Sequence, residues 1–248
     1  MSLFDDMNKN KVAAPPSQGG YGQSQSQAAQ WDSMDESMPA VDSSKLIRNT
    51  YTLLSMTLLF SALTAGIAMA TNMPPIHWAI TLIGYFGLLF ATQALSNSGW
   101  GLLMVFALTG FMGLTLGPML SAYMTVFKNG SQLIMMAFGT TSIIFLGLSG
   151  YALVSRKDFN FLGQFIFIGV LVAFVAGLAN IFFQIPALSL AVSSMFVLLM
   201  SGYILYQTSE LVHGRETNYI MATVGLYVSI YNLFISLLQL FGAFFGED

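Results

Sequence analysis

The sequence predicts an all-α integral membrane protein, a bundle of seven transmembrane helices with the last helix central. Three observations carry this reading. The 248-residue chain is 55% hydrophobic and only 8% charged, where a soluble domain carries about 25% charged residues. Its charges are also bunched. No Asp, Glu, Lys or Arg lies between Arg48 and Lys128, Lys128 and Arg156, Asp158 and Glu210, or Glu216 and Glu247, and each gap holds one or more spans of about 20 residues. Finally, Ser229, Asn232, Ser236 and Gln239 recur at intervals of three, four and three near the C-terminus, so they share one helical face. In lipid such a face must turn toward protein or water, which places the last helix inside the bundle.

The elements follow in order. Residues 1–43 read as a disordered cytoplasmic tail, with Pro15-Pro16, Gly19-Gly20 and a Gln/Ser/Ala run from Gln23 to Gln30. Such a segment buries too little apolar surface to offset its ordering entropy. Residues 44–248 form the seven-helix transmembrane domain. Ser43 or Ser44 caps the first span, with Lys45 and Arg48 at the membrane surface. That span runs to about Ala70, and its small polar face of Thr50, Thr57, Ser61 and Thr64 admits a close neighbour. Asn72 and Pro74-Pro75 end it. The second span covers about Ile76–Leu95. The third covers about Trp100–Phe127 and carries Gly110, Gly113, Gly117 and Pro118, a signal of tight packing and a kink. The fourth, about Ser131–Val154, is closed by Arg156-Lys157-Asp158. The fifth, about Phe161–Phe183, ends at a polar pair four apart, Asn180 and Gln184, read as an interhelical hydrogen-bonding pair or a secondary polar site. The sixth runs from Pro186 to about Gln207 and the seventh from about Asn218 to Phe245.

Lysine and arginine set the orientation. With the N-terminus in the cytoplasm, Lys9, Lys11, Lys45, Arg48, Arg156, Lys157 and Arg215 fall inside and only Lys128 falls outside. The C-terminus is then periplasmic.

The pattern of reactive residues argues against an enzyme. The two histidines, His77 and His213, fall in loops on opposite sides, leaving no buried base for a serine nucleophile. There is no HExxH, no phosphate-binding P-loop and no cysteine, so zinc-protease, nucleotide-hydrolysing and thiolate-metal readings lack their residues. No aspartate lies within a span and no lysine lies in the last helix. No cofactor or metal is expected, and with no basic patch, no nucleic acid.

The remaining chemistry lies between Gln207 and Gln239. Glu210, His213, Arg215 and Glu216 fall in or beside the loop joining the last two spans. Glu210 meets the unfavourable end of a helix dipole, so it pairs with His213 or Arg215, stays protonated, or reaches toward water. His213 is a pH sensor or a solvated loop residue. Gln207, Glu210, His213, Ser229, Asn232, Ser236 and Gln239 together make up the candidate polar, pH-sensing cluster.

Several blocks resemble the Bax inhibitor-1 family (transmembrane BAX inhibitor motif proteins), in particular its bacterial YccA-like branch. They are LIRNTYTLLSMTLLFSALTA at 46–65, LTGFMGLTLGPML at 108–120, YALVSRKDFNFLG at 151–163, ANIFFQIPALSLAVS at 179–193 and ETNYIMATVGLYVSIYNLFISLL at 216–238. The resemblance spans about residues 44–246 and implies a seven-helix bundle enclosing the last helix. It implies two functions. One is that of a bacterial inner-membrane protein that binds and modulates an FtsH-type membrane AAA+ protease, as partner and as substrate. The other is a pH-sensitive calcium or cation leak, which in such relatives uses one aspartate on each of the last two helices. The matching positions here are Gln207 and Ser229, so both acids are missing and the leak reading is weakened. Calcium and protons are the ions that reading implies.

Overall fold

A computed structural model describes residues 43–247. The expected tail at 1–43 lies outside the described residues except for Ser43. Among the described residues seven helices follow one another: α1 Ser43–Ala70, α2 Trp78–Leu95, α3 Trp100–Val126, α4 Gly130–Ser155, α5 Leu162–Phe183, α6 Pro186–Val212 and α7 Tyr219–Phe245. All seven are long and apolar enough to cross a membrane. The shortest, α2 with 18 residues, is about 27 Å long at 1.5 Å per residue, close to the ~30 Å hydrocarbon core.

Short connections make successive helices antiparallel. One face of the bundle carries the start of α1 and the α2–α3, α4–α5 and α6–α7 loops; there the Asn218 amide donates to Asn97 Oδ1 at 3.0 Å. The opposite face carries the other loops and the end of α7; there the Lys128 N–H donates to the Glu247 carbonyl at 2.8 Å. We call these the first and second faces.

Helix ends are set by identifiable groups. His77, expected in a loop, is the N-cap of α2, its Nδ1 accepting from the Ala79 N–H at 3.3 Å. Asn218 caps α7, its Oδ1 accepting from the Ile220 N–H at 2.9 Å. Pro186 opens α6, where its missing N–H costs nothing. Arg156 and Gln184 end α4 and α5 in the left-handed conformation, at φ 49° and 52°.

α7 is the central element. It packs against α1, α3, α4 and α6, while α2 leans on α3 and α5 on α6. Its first half joins a core with Leu53 and Leu54 of α1 and Val105 and Leu108 of α3. Its second half joins another with Leu133 of α4 and Leu199 and Ile204 of α6. The outer helices bury little: Thr92 in α2, and Ile166 and Ala173 in α5.

The glycines of α3 allow its close approach to α1. A Cβ added at Gly113 would lie 2.0 Å from Thr64 Oγ1 and 2.3 Å from the Ser61 carbonyl oxygen, and one at Gly117 would lie 2.5 Å from Ala68 Cβ. Of the small polar face expected on α1, Ser61 and Thr64 receive Gly113 of α3, whereas the Thr50 carbonyl accepts from Thr223 of α7.

Candidate functional site

α6 is longer than its apolar pattern implied. It continues through Thr208, Ser209 and Glu210 to Val212, because its last turns are held from the side. Thr208 and Ser209 are fully buried. The Ser149 hydroxyl lies 3.3 Å from Thr208 Oγ1, and the Tyr51 hydroxyl bonds Ser149. Ser209 Oγ accepts from the Phe159 N–H at 3.1 Å. A layer of hydroxyls therefore ties α1, α4 and α6 together just inside the first face.

Above this layer lies an ion-pair cluster. The Arg215 Nε donates to Glu210 Oε1 at 2.7 Å, and its Nη2 and Nη1 donate to Asp158 Oδ1 and Oδ2 at 2.7 and 3.2 Å. One guanidinium thus bridges the end of α6 and the α4–α5 loop, in the planar geometry that suits arginine. Glu210 pairs with Arg215, which answers the unfavourable helix end beneath it. Its side chain is only 13% exposed, against 55% for Asp158. The Asn160 N–H first, and Arg215 second, hold the Asp158 carboxyl below the usual carboxylate range. The hydrogen bonds from Asp158 and Glu210 in turn raise Arg215 further above its ordinary value.

The other candidates are spread along the α6–α7 seam. Gln207 and Ser229 are both buried there. A Cβ added at Gly225 would come within 3.4 Å of the Gln207 amide carbon, so Gln207 lies against α7. Ser229 donates to the Gly225 carbonyl at 2.8 Å, and Asn232 to the Val228 carbonyl at 2.8 Å. Ser236 is buried. Gln239 reaches α6, accepting from Ser193 Oγ at 2.6 Å and bonding Ser189. His213 is the exposed C-cap of α6, its Nδ1 lying 2.8 Å from the Ser209 carbonyl. The structure brings Glu210 and Arg215 together at the first face and places Ser236 and Gln239 deeper, toward the second.

Two readings differ from the sequence expectation. Asn180 and Gln184 shape the turn from α5 to α6: the Gln184 N–H donates to the Asn180 carbonyl at 2.8 Å, and Asn180 Oδ1 accepts from the N–H of Ile185, the N-cap of α6, at 3.0 Å. Asp158, read only as closing α4, is a member of the ion-pair cluster. Its available signal was the Asp-x-Asn turn, in which Oδ1 accepts from the Asn160 N–H at 2.9 Å. Among the described residues, no three His, Cys, Asp or Glu side chains converge to hold a metal.

The family model described as inhibitor of apoptosis-promoting Bax1 matches residues 43–246. The chain belongs to the Bax inhibitor-1 family. Its α7-centred bundle is how that family's sequence blocks fold here. Among its relatives, an uncharacterized protein of Pseudomonas aeruginosa is 53% identical over 83% of this chain and 92% of its own. The protein of Escherichia coli K12 named modulator of FtsH protease YccA is 47% identical over 80% of this chain and 90% of its own. A further Escherichia coli relative, at the same identity and coverage, is named inner membrane protein YccA. This Bax inhibitor-1 family member is accordingly a YccA-like, multi-pass inner-membrane protein. The family and its relatives' names describe a membrane protein or modulator, not a known enzyme.

Proposed function

We propose that this protein binds a membrane-anchored AAA+ protease of the FtsH type and modulates it, serving as partner and as substrate. The observation that carries the reading is the 47% identity over 90% of a relative named for modulating that protease. Orientation belongs to the same proposal. Lys45, Arg48, Arg156, Lys157 and Arg215 all lie on the first face and Lys128 on the second, so the positive-inside rule puts the first face and the N-terminus in the cytoplasm and the C-terminus in the periplasm. That arrangement supports a role for residues 1–43 as the segment a cytoplasmic ATPase grips.

The test is affinity purification from membranes together with pulse-chase. The protease should be enriched with the full chain, and deleting residues 1–43 should lengthen the chain's half-life. No enrichment and an unchanged half-life would remove the basis of the proposal. A reporter fused after Asp248 should be active only in the periplasm; cytoplasmic activity would overturn the orientation.

A further inference from the structure

The helices fall into two groups by their packing. α1 and α2 pack on α3, while α4, α5 and α6 pack with α7. The heaviest packing, α1 on α3 and α6 on α7, lies inside the groups, and α3 meets α4 and α7 only lightly. Tyrosine hydroxyls tie the boundary between the groups at three levels. Near the first face Tyr51 of α1 bonds Ser149 of α4 and lies 3.3 Å from Thr208 Oγ1 of α6. Deeper, the Tyr227 hydroxyl of α7 lies 2.7 Å from Ser61 Oγ of α1 and 3.3 Å from the Thr109 carbonyl oxygen of α3. One turn on, the Tyr231 hydroxyl lies 3.2 Å from Thr115 Oγ1 and 3.3 Å from the Met112 carbonyl oxygen, both of α3. We propose that this boundary is a shear plane, along which α1–α3 and α4–α7 slide as two rigid bodies with the Tyr51, Tyr227 and Tyr231 hydroxyls as exchangeable ties.

Each of these tyrosines carries one proton and faces two oxygens across the boundary. A slide of about 1–2 Å, the usual scale of helix shear, passes the hydroxyl from one oxygen to the other without leaving a buried donor unmet. The apolar contacts resist it little, because in lipid an apolar helix face gains no hydrophobic stabilisation by choosing protein over acyl chains. The interior of the first group is different. Gly113 is seated against the Ser61 carbonyl and Gly117 against Ala65 and Ala68, and sliding there drives atoms into contact.

Thr50 points independently to a second arrangement. It lies on the boundary, its carbonyl accepting from Thr223 Oγ1 of α7 at 3.2 Å. Its own hydroxyl is fully buried and has no hydrogen-bond partner among the described residues. A buried hydroxyl without a partner is costly. Thr223 bonds its own helix more closely, at 2.7 Å to the Tyr219 carbonyl, so its bond across the boundary is the weaker one. The slide turns the Thr50 hydroxyl onto Thr223 Oγ1 and removes that cost. The boundary also divides the first face, where the Asn218–Asn97 bond spans it. Movement along it shifts the Arg215 ion pairs as one piece relative to Lys45 and Arg48.

The chain has no cysteine, so introduced cysteine pairs can carry spin labels in the full chain, reconstituted in phosphatidylethanolamine–phosphatidylglycerol vesicles and read by double electron–electron resonance. Arg48 with Thr217 and Thr71 with Gln132 cross the boundary; Thr71 with Thr125 and Arg156 with Thr217 do not, and all these positions are exposed. The two classes share Thr71 and Thr217, so label motion is common to both. The crossing pairs should give distance distributions about twice as wide as the others. Tyr51→Phe, Tyr227→Phe and Tyr231→Phe combined keep the rings, remove the ties, and should widen the crossing distributions alone. Thr50→Val removes the unmet hydroxyl and should act in the opposite sense, narrowing them. If the triple variant does not fold, Thr50→Val carries the test. Crossing distributions as narrow as the others in the wild type overturn the proposal. So does widening of both classes together, a triple variant that leaves the crossing pairs unchanged, or a Thr50→Val protein that matches the wild type.

Discussion

Substituting Gly113 by alanine tests the close packing of α1 on α3. The new methyl would sit 2.3 Å from the Ser61 carbonyl oxygen and 2.0 Å from Thr64 Oγ1. Ordinary contact begins near 3.4 Å, so the backbone contact alone is about 1 Å too short. Thr64 cannot simply rotate away, because its hydroxyl donates to the same Ser61 carbonyl at 2.9 Å. The helices must part, and separation loosens the neighbouring contact of Gly117 with Ala68. Overpacking of this kind costs about 1–3 kcal/mol, more than the ~1 kcal/mol that alanine gains over glycine in a helix. The comparison is Gly87→Ala, where an added Cβ meets nothing within 4 Å and the helix-propensity gain stands alone. Midpoints of thermal unfolding in detergent, read by size-exclusion of the surviving folded protein, should fall for Gly113→Ala and hold or rise for Gly87→Ala. A Gly113→Ala protein as stable as the wild type would refute the geometry claimed for this interface.

Further outcomes follow from the same structure. Arg215→Gln leaves the mostly buried Glu210 without its cation and should cost about 1–3 kcal/mol in the same unfolding assay, with a smaller loss for Asp158→Asn at the exposed end of the cluster. The Asp158 carboxyl is held below its unfolded value, so its contribution is fully present above about pH 4 and is lost as pH falls through its lower folded value. Spin labels at Arg156 and Thr217 should therefore report one constant distance from pH 5 to 8, broadening only in stronger acid. Gln184→Gly relieves a left-handed cap at φ 52° and should stabilise by about 1 kcal/mol in the same assay; an unchanged or lowered midpoint would show that the side chain contributes more than the strain costs. Calcium entry into vesicles holding the purified chain should be weak across pH 6–8, and any residual flux should depend on Glu210; strong pH-gated flux surviving Glu210→Gln would bring the leak reading forward.

The seven spans were legible because charge gaps and loop residues mark them in one dimension. The small face of α1 was legible too, since Ser61 and Thr64 share a helical period and meet the glycines of α3. The end of α6 was not. Thr208 and Ser209 read as the approach to a loop because they are polar, yet they stay helical because Tyr51, Ser149 and the α4–α5 loop satisfy them from the side. Such partners come from residues 50 to 157 positions away, a separation that periodicity cannot bridge. The pairing of Arg215 with Asp158 was hidden for the same reason. The polar stripe of α7 was visible as a face, but its bonding depends on rotamers. Ser229 and Asn232 turn back onto their own helix, whereas Gln239 crosses to α6.

That division matters for the two positions where relatives of the leak type are expected to carry acids. Gln207 is buried against Gly225, and the Ser229 hydroxyl is spent on the Gly225 carbonyl. Neither brings negative charge to the seam. The acid nearest in sequence, Glu210, lies one turn along α6, and Arg215 already occupies it while also holding Asp158. A hard divalent cation needs several anionic or carbonyl oxygens free to converge. Here the carboxylates converge on a guanidinium at the first face, and Gln207, Ser229 and Asn232 on the seam below them are neutral. The charge that a gated seam would require has been placed in a clasp between the α4–α5 and α6–α7 loops. There it ties the α4–α5 loop to the α6–α7 loop.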